Sequence, residues 1–536
     1  MSPRFTHRLP TLRPVLAAAL IAAACAPARA DAPPPAAAAR SMVPAAPMPN
    51  TRLALSGQVT LHPRLLVQLV VERSAEIEYG RRQVEVARHL SEAEAALYEP
   101  VFFSSARYEE RERQRGVEER LSSFATSSIP VLDERIGSGE IGVRERLPTG
   151  GEVSLSYRLR NKWNNIISNN NPDYHEFEGA MVLTVKQPLM RGAGRSIVET
   201  DKKVAEAERK ISALQYKQQL IKTASDALTL YWQLYRSLEI HRIRQVALDN
   251  AKRLLADIES RIRAGKAPAS AVIEINAAML VREVELLRAE QGVREAQTRL
   301  ATMLRVSALA DQDLRLIVNP DNVDIKPILV PVRERYARAL PVWPAFQIAR
   351  LRADQARLRL DFAADARKPA IDLVLSRTNN GLAETSSTAR SVIESSRYPE
   401  WFVGLNFEIP LLANRKARSQ YLAQSERLTQ AQLEIESIEQ ALANDIVTHA
   451  EQLVAAQEEL KRMDQDIGLR AELLRIEKVR FESGMGLMSQ LLQREADLNE
   501  SRQRRVESVA RLGQANDALL QADGSLLATY GVTVKD

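Results

Sequence analysis

Apolar residues recur every seven positions through long stretches of this chain. Residues 195–264 contain no glycine or proline, and two seven-residue series of mostly apolar positions run through them, one starting at Leu214 and one at Ala227. Two such series on one helix indicate apolar neighbours on two sides. The spacing predicts a long helix over 195–264, and an a/d pattern with one charged interruption at Arg282 predicts a return helix over 269–305.

The second half of the chain has the same arrangement. A long helix is predicted over 411–483 and a return helix over 487–523, where four leucines share a seven-residue register that Arg505 interrupts. Gly265 and Gly484 fall between the two helices of each pair, where glycine can end a helix without strain. Each half is therefore predicted to form an antiparallel helical hairpin with a glycine at its tip.

Other segments alternate apolar and polar residues with a period of two, most clearly over 153–159 and 401–409. Strands are predicted within about 101–187 and 370–410, with an additional hairpin near 138–160. One apolar and one polar face are typical of an outer-membrane barrel wall. A soluble sandwich would show the same alternation, and the number of strands that each chain contributes stays open.

Matching landmarks indicate that the chain contains an internal duplication. The pair Pro188 and Pro410 lies 222 residues apart, and the pair Gly265 and Gly484 lies 219 residues apart. Nearly equal offsets indicate two copies of one unit, of which the first is longer and holds the additional hairpin. The predicted first repeat, second repeat and short tail are residues 56–320, 321–525 and 526–536.

The N-terminus has the features of an export signal. Basic residues precede an apolar stretch, and the Ala-Arg-Ala that ends at residue 30 fits a signal peptidase site, so residues 1–30 are predicted to be a signal peptide. Cys25, the only cysteine, either leaves with this peptide or is lipidated. Residues 31–55, rich in Pro and Ala, are predicted to be disordered. No later apolar run is long enough for a transmembrane helix.

Charge and reactive residues exclude several classes of function. The net charge is +6, but Lys and Arg alternate with acidic residues and form no stripe with aromatic residues, which argues against nucleic acid. The six histidines lack metal-ligand spacing, and His241, on an apolar series, is expected to be a packed core residue. The letters GSGEIG at 137–142 precede a strand instead of opening a helix. Without a nucleophile cluster, neither an enzyme nor a metal or cofactor is expected.

This order of landmarks resembles the TolC-like outer membrane efflux protein family over roughly residues 60–525. The resemblance rests on "QPLMRGAG" before the long helix, on the tip glycines at matching offsets, and on Pro100 and Pro369 at helix-to-strand junctions. It implies a mainly α-helical homotrimer with a β-barrel portion: an outer-membrane barrel shared by the chains and continued by a long periplasmic helical tunnel. It also implies outer-membrane lipid, a periplasmic adaptor and an inner-membrane transporter as partners.

The resemblance also assigns roles to individual residues. Some family members ring the tunnel constriction with aspartates where this chain has Gln490 and Gln493. Neutral amides set no strong cation field, so one hypothesis is a gate that is less sensitive to divalent cations than an aspartate ring would be. The alternative is that both residues are solvated coiled-coil positions. The implied adaptor-contact tips are Gly265, Lys266, Ala267, Pro268, Gly484, Met485, Gly486 and Leu487, although glycine there is also an ordinary helix end.

The sequence thus predicts the outer-membrane channel of a tripartite efflux or type I secretion system. Such a channel would be a passive conduit from periplasm to exterior, located in the cell outer membrane with a long periplasmic portion and opened when an adaptor and pump dock. The alternative is an exported coiled-coil scaffold or periplasmic adaptor, which would share the heptads but lack lipid-facing strands. The transported substrate and the class of pump are not encoded in a recognisable motif.

Overall fold

The computed structural model describes residues 58–121, 128–166, 168, 171, 173–264, 268–306, 315–318, 331–411 and 414–532. The predicted signal peptide, Cys25 and the segment 31–55 lie outside the described residues. The chain divides into two compact units. The sheet unit contains the described residues of 98–198 and 368–410, and the helical unit contains those of 54–97, 199–367 and 411–536.

Strands and helices are numbered here in chain order. The strands are β1 (Gln58–Leu61), β2 (Val101–Gln114), β3 (Val131–Arg146), β4 (Glu152–Asn164), β5 (Glu176–Pro188), β6 (Arg315–Val318), β7 (Ala370–Ala383) and β8 (Pro399–Glu408). The helices are α1 (Pro63–Arg73), α2 (Ala75–Ala95), α3 (Val117–Leu121), α4 (Arg195–Val198), α5 (Thr200–Arg263), α6 (Ser270–Met303), α7 (Val332–Ala339), α8 (Pro344–Asp365), α9 (Ser386–Glu394), α10 (Arg415–Glu482), α11 (Met488–Ala522) and α12 (Leu526–Thr529).

The sheet unit is built on one six-stranded antiparallel sheet with the order β2-β3-β4-β5-β7-β8. The additional hairpin expected near 138–160 is formed by β3 and β4, and it lies within the sheet between β2 and β5. Its turn places Gly150 at φ +90°, a conformation that favours glycine, and a Cβ there would lie 2.3 Å from the Gly192 carbonyl oxygen. Four strands of this sheet therefore lie in the predicted first repeat and two lie in the predicted second repeat.

A helix interrupts the region 370–410, where the sequence analysis predicts only strands. Helix α9 connects β7 to β8, and the Thr385 side chain caps it by accepting a hydrogen bond from the Thr388 backbone N–H at 3.3 Å. Ala389 and Ile393, four residues apart, are its buried residues. A single pair of apolar positions is too short a pattern to predict a helix from sequence, which explains why it was missed.

In the helical unit, α5 packs along α6 and α10 packs along α11, so each half forms a helical hairpin. The long helices begin later than the sequence indicates. Glu199, at φ −88° and ψ 10°, separates α4 from α5 instead of continuing one helix from residue 195. Asn414 adopts a left-handed conformation and its side chain accepts a hydrogen bond from the Ala417 N–H at 3.4 Å, which starts α10 at Arg415 instead of 411.

Helix α5 lies at the centre of the largest core of the helical unit. The predicted seven-residue series is buried at Ile221, Leu228 and Tyr235. His241 is an exception: its side chain is 34% exposed, with Nε2 4.0 Å from Glu290 Oε1 on α6. The expectation of a packed core histidine was wrong, because α6 places a carboxylate next to this position.

Two smaller elements were not expected from the sequence. Strands β1 and β6 form a parallel two-stranded sheet, and α12 forms a helical turn within the predicted short tail, with Leu526 and Leu527 buried against the core. Both join distant parts of the chain, which a local pattern does not reveal. Of the helices that the structure describes, none combines the length and hydrophobicity needed to span a bilayer.

Candidate channel wall and hairpin tips

One face of the six-stranded sheet is apolar and exposed. Residues that stand opposite each other in an antiparallel register point to the same face, and the rows of this face follow the pairings Val143–Leu155–Leu183 and Val185–Leu375–Val403. Trp401 is 77% exposed. A contiguous exposed apolar surface of this kind marks contact with a membrane or another protein. The large exposed apolar residues on this face are Phe102, Ile141, Val143, Leu155, Met181, Leu183, Leu375, Trp401, Val403, Leu405 and Phe407.

The opposite face of the sheet is polar and carries ion pairs between neighbouring strands. Arg158 lies 3.4 Å from Glu140 across β4 and β3, and Arg160 lies 3.3 Å from Glu178 across β4 and β5. Lys186 on β5 lies 3.0 Å from Asp372 on β7. Partly exposed pairs of this kind contribute little stability. Their charged side chains need water around them, which indicates that this face of the sheet is hydrated.

The sheet has two edge strands, β2 and β8. Within the described part of the chain, each pairs with a neighbour on one side only. Exposed edges offer unpaired backbone groups to another chain, and closure into a barrel removes them. The sheet is therefore an incomplete wall that further strands could extend.

Of the two predicted hairpin tips, the structure describes the second more fully. Gly265, Lys266 and Ala267 lie outside the described residues, and Pro268 is exposed. In the second tip, Gly484 has φ +77°, which favours glycine. Met485 and Leu487 are 73% and 63% exposed, and a Cβ on Gly486 would lie 2.8 Å from the Phe481 backbone nitrogen. This tip thus exposes apolar side chains on a turn that needs small residues.

The two hairpins pack against each other close to their tips. Ile258, Ala271 and Ile275 of the first hairpin form a buried cluster with Met488 of the second. The Arg261 guanidinium lies 5.7 Å from the centre of the Phe481 ring. The sequence predicts two separate tips, and the packing brings them together.

Gln490 and Gln493 both lie on the exposed side of α11. The Gln493 side-chain amide donates a hydrogen bond of 2.8 Å to Asp497 Oδ1, one turn further along the helix. Asp497 also lies 3.5 Å from Arg494. A negative charge is thus present one turn from Gln493 and about two turns from Gln490, although its local partners reduce its field.

The charged interruption at Arg282 is explained by the second hairpin. Arg282 on α6 is 8% exposed, and its Nη2 donates a hydrogen bond of 3.0 Å to Glu495 on α11. Burial raises the pKa of Glu495, while Arg282 acts in the opposite direction. In the same interface Arg244 of α5 contacts Glu285 of α6 and lies 3.0 Å from Gln503 of α11. The apolar series are interrupted because three helices share a polar layer.

A buried aspartate ties the end of the chain to the helical core. Asp517 on α11 accepts a hydrogen bond of 2.8 Å from Trp232 Nε1 and one of 2.5 Å from the Tyr530 hydroxyl. Burial raises the pKa of Asp517 and of Tyr530, and raises that of Tyr231 to about 12. A Cβ on Gly513 would lie 2.1 Å from the Trp232 ring, so this glycine provides the space for the indole. Sequence reasoning missed this network, since nothing local to Asp517 signals it.

Helices α6 and α10 leave apolar side chains exposed at heptad spacing. On α6 these include Ile273, Leu280 and Leu287, each seven residues from the next. On α10 they include Leu469 and Ile476, with the same spacing. A seam of this kind on a helix indicates a helical partner, and among the described residues none buries these seams.

Within the residues that the structure describes, no group of three or more histidine, cysteine, aspartate or glutamate side chains is arranged to hold a metal ion. The candidate site thus consists of two surfaces. The six-stranded sheet has one exposed apolar face and one polar face, and the helical hairpins expose apolar side chains that suit contacts with other chains.

Comparison with known proteins finds a family profile that matches part of the chain and solved structures with a similar fold. Residues 336–525 match the sequence profile of the family described as outer membrane efflux protein. A membrane protein from Pseudomonas aeruginosa has the same fold, with a TM-score of 0.63 and 16% identity, covering 87% of this chain and 91% of that chain. The outer membrane protein VceC of Vibrio cholerae has a TM-score of 0.61 and 15% identity, and the match covers 86% of this chain and 96% of that chain. The CmeC outer membrane channel of Campylobacter jejuni has a TM-score of 0.61 and 11% identity, and the match covers 87% of this chain and 86% of that chain.

A comparison with curated proteins finds no match. The resemblance to TolC-like outer membrane efflux proteins is nevertheless confirmed by the profile match over residues 336–525 and by the shared fold. The matched family is one of transport conduits, which agrees with the expectation that the chain is not an enzyme.

Proposed function

We propose that this chain is the outer-membrane channel component of a tripartite efflux or type I secretion system. It lies in the outer membrane with a long periplasmic portion and provides a passive conduit from periplasm to exterior. A periplasmic adaptor and an inner-membrane transporter dock on the hairpin tips and open it. Direction and energy would come from the transporter.

The two faces of the six-stranded sheet carry this proposal. A soluble sandwich would cover the apolar face with a second sheet, and the only other sheet among the described residues is the two-stranded one of β1 and β6 in the helical unit. Lipid is the environment that suits a face bearing Trp401, Leu405 and Phe407, while water suits the face bearing Arg158 and Lys186. This is the arrangement of a membrane barrel wall.

A homotrimer would complete the wall. One six-stranded sheet is too narrow to close on itself with the polar face inside, and its two free edges can pair β8 of one chain with β2 of the next. Three such sheets would form an eighteen-stranded barrel. Because barrel diameter grows with strand number, the β3–β4 hairpin would widen the conduit relative to a barrel built without it.

The same trimer would use the exposed helical seams. Leu280 and Leu287 on α6, and Leu469 and Ile476 on α10, would become buried between neighbouring chains as the helices close into a periplasmic tunnel. The exposed Met485 and Leu487 would then stand at the tunnel end, available to the helical hairpin of an adaptor. The first tip, with Gly265, Lys266, Ala267 and Pro268, would contribute to the same contact surface.

At the closed end of the tunnel we place the constriction at Gln490 and Gln493. Threefold rings of neutral amides can close a pore by hydrogen bonding without a strong cation field. The gate would therefore be less sensitive to divalent cations than an aspartate ring. Block of single-channel current by micromolar multivalent cations added from the periplasmic side would overturn this assignment.

Conductance of the detergent-extracted protein in a planar bilayer, measured together with its mass in detergent, tests the proposal. We expect reproducible openings from a trimer. A protein that stays soluble without detergent, never conducts and behaves as an extended rod would show that the strands face no lipid. That result would favour an exported coiled-coil scaffold or adaptor instead.

A further inference from the structure

Helix α9 is seated on the apolar face of the sheet. Gly179 on β5 and Gly381 on β7 stand opposite each other, in the same alternation as Leu183 and Val185. A Cβ on Gly381 would lie 2.3 Å from the Ala389 carbonyl oxygen, and a Cβ on Gly179 would lie 2.6 Å from Ile393 Cδ1. The two glycines therefore form a shallow seat on the apolar side of the wall, and α9 fills it with Ala389 and Ile393.

The outward surface of α9 is polar. Ser387, Arg390, Ser391 and Glu394 are all exposed, and Ser391 lies on the opposite side of the helix from the buried Ala389. Hydroxyl and guanidinium groups are donors for phosphate and sugar oxygens. This surface is unsuited to hydrocarbon and suited to a hydrated layer rich in such oxygens.

The residues of the apolar face become more polar toward α9. Below α9 on β7, Arg377 stands opposite Trp401 of β8 and Leu183 of β5. An arginine at such a position can extend its guanidinium toward the polar layer while its methylene groups stay on apolar surface. Tryptophan is enriched at the same boundary in membrane barrels. The face thus passes from apolar residues through Arg377 and Trp401 to the polar helix.

The connectivity gives the direction of this change. The chain enters β2 and β7 from the helical unit and leaves β5 and β8 toward it, whereas α9 connects the opposite ends of β7 and β8. If the helical unit is periplasmic, as the proposed function on which this inference rests requires, α9 lies at the exterior end of the wall.

We propose that α9 lies outside the barrel wall in the headgroup layer of the outer leaflet, where Ser387, Arg390 and Ser391 bind phosphate and sugar groups of lipid headgroups. The helix would fix how deeply the wall sits in the membrane, because its polar surface cannot enter the hydrocarbon and its apolar side cannot leave the sheet.

Spin labels at single cysteines test the placement. The sequence contains one cysteine, Cys25, which is expected to be removed or lipidated, so the unsubstituted protein serves as the labelling control. Labelled variants Ser391→Cys, Val403→Cys and Thr378→Cys are placed in vesicles of phosphatidylethanolamine and phosphatidylglycerol, with and without a lipid that carries chelated nickel on its headgroup. Oxygen accessibility is measured in parallel.

We expect the headgroup nickel to relax the label at Ser391 several-fold more than the label at Thr378 on the polar face, and oxygen to reach the label at Val403 most readily. Equal relaxation at Ser391 and Thr378, with the Val403 label still in contact with lipid, would overturn the placement of α9 and leave the proposed channel intact. A Val403 label without lipid contact would overturn the proposed channel and this inference with it.

A pair of glycine variants adds a matched control. Gly381→Ala inserts a Cβ into the seat of α9, whereas Gly139→Ala inserts one on the same face with its nearest neighbour, the Ser105 carbonyl oxygen, 3.9 Å away. We expect Gly381→Ala to reduce the nickel relaxation of the Ser391 label at least two-fold and Gly139→Ala to leave it unchanged. Equal effects of the two variants would show that the seat does not hold α9 at the headgroups.

Discussion

The two long helices have nearly equal lengths and similar heptads, yet they are buried to very different extents. Helix α5 has 64 residues, of which eighteen are buried, whereas α10 has 68 residues, of which seven are buried. Their return helices show the reverse: α6 buries six of 34 residues and α11 buries sixteen of 35. Each hairpin therefore has one helix inside the core of the chain and one on its surface.

This difference separates the heptads that are buried within the chain from those that remain exposed on its surface. The two buried series on α5, which include Leu228 and Leu234, contribute to the core of the chain. The exposed series on α6, which includes Leu280 and Leu287, contributes no buried residue to that core. Apolar seams cost solubility when exposed, so their presence on α6 and α10 agrees with the proposed assembly of several chains. The core helices and the surface helices should then respond differently to substitution.

The largest effect is expected on assembly. Leu280→Glu combined with Leu287→Glu on α6 should abolish the trimer while leaving the helical content of each chain unchanged, because burial of each leucine contributes roughly 1.5–3 kcal/mol and recurs at every interface. Mass in detergent and circular dichroism measure the two properties. Lys252→Glu, which adds negative charge at an exposed polar position of α5, is the control. A trimer that survives the double change would show that this seam is not an interface.

Removal of one partner of the buried pair should lower the stability of the chain itself. Arg282→Met leaves Glu495 buried without its cation and should cost about 3–5 kcal/mol, whereas the double variant with Glu495→Met should recover much of this loss. Denaturant unfolding measures both. Arg505→Met, which breaks the exposed pair with Asp464, should cost at most about 1 kcal/mol. Equal losses for Arg282→Met and Arg505→Met would contradict the difference in burial.

The buried carboxyl of Asp517 should make stability depend on pH. Its pKa is raised in the folded chain, so the folded state binds the proton more tightly than the unfolded state. The stability that the protonated Asp517 carboxyl contributes is fully present when the pH is below the pKa of about 3.9 in the unfolded chain. It is lost as the pH rises through the raised pKa of the folded chain. Melting temperatures should therefore fall less steeply with rising pH in Asp517→Asn than in the unsubstituted protein.

The smallest effect on the fold is expected at the exposed glutamines of α11. Gln490→Asp with Gln493→Asp should leave stability within about 0.5 kcal/mol, as is usual for surface changes, but should introduce block of the channel by multivalent cations. Single-channel recording measures the block, and Ser489→Asp, an exposed neighbour, serves as the control. Cation block of equal strength in the unsubstituted channel would show that other groups, such as Asp497, set the field.

Local patterns predicted much of this protein. Seven-residue spacing identified the helical hairpins, glycine at 484 identified a tip, and alternation identified strands at 153–159 and 401–409. These signals are readable because helix and strand periods are properties of the backbone and repeat over many residues. The helix α9 and the short strands β1 and β6 give too few periods to be recognised.

Three further features were decided by the tertiary structure alone. The β3–β4 hairpin joins the wall because its hydrogen-bonding partners, β2 and β5, are present on both sides. Arg282 and Asp517 are tolerated inside because folding brings them polar partners: Glu495 and Trp232 come from distant parts of the chain, and Tyr530 comes from the turn of helix that follows α11.

The sequence by itself determined the long helices, the long strands and their two-sided chemistry, since each follows from residues near one another along the chain. Which apolar side of a helix is buried in the chain and which remains on its surface depends on the neighbours that folding brings. A heptad on α5 and a heptad on α6 have the same spacing, and only three-dimensional packing distinguishes them.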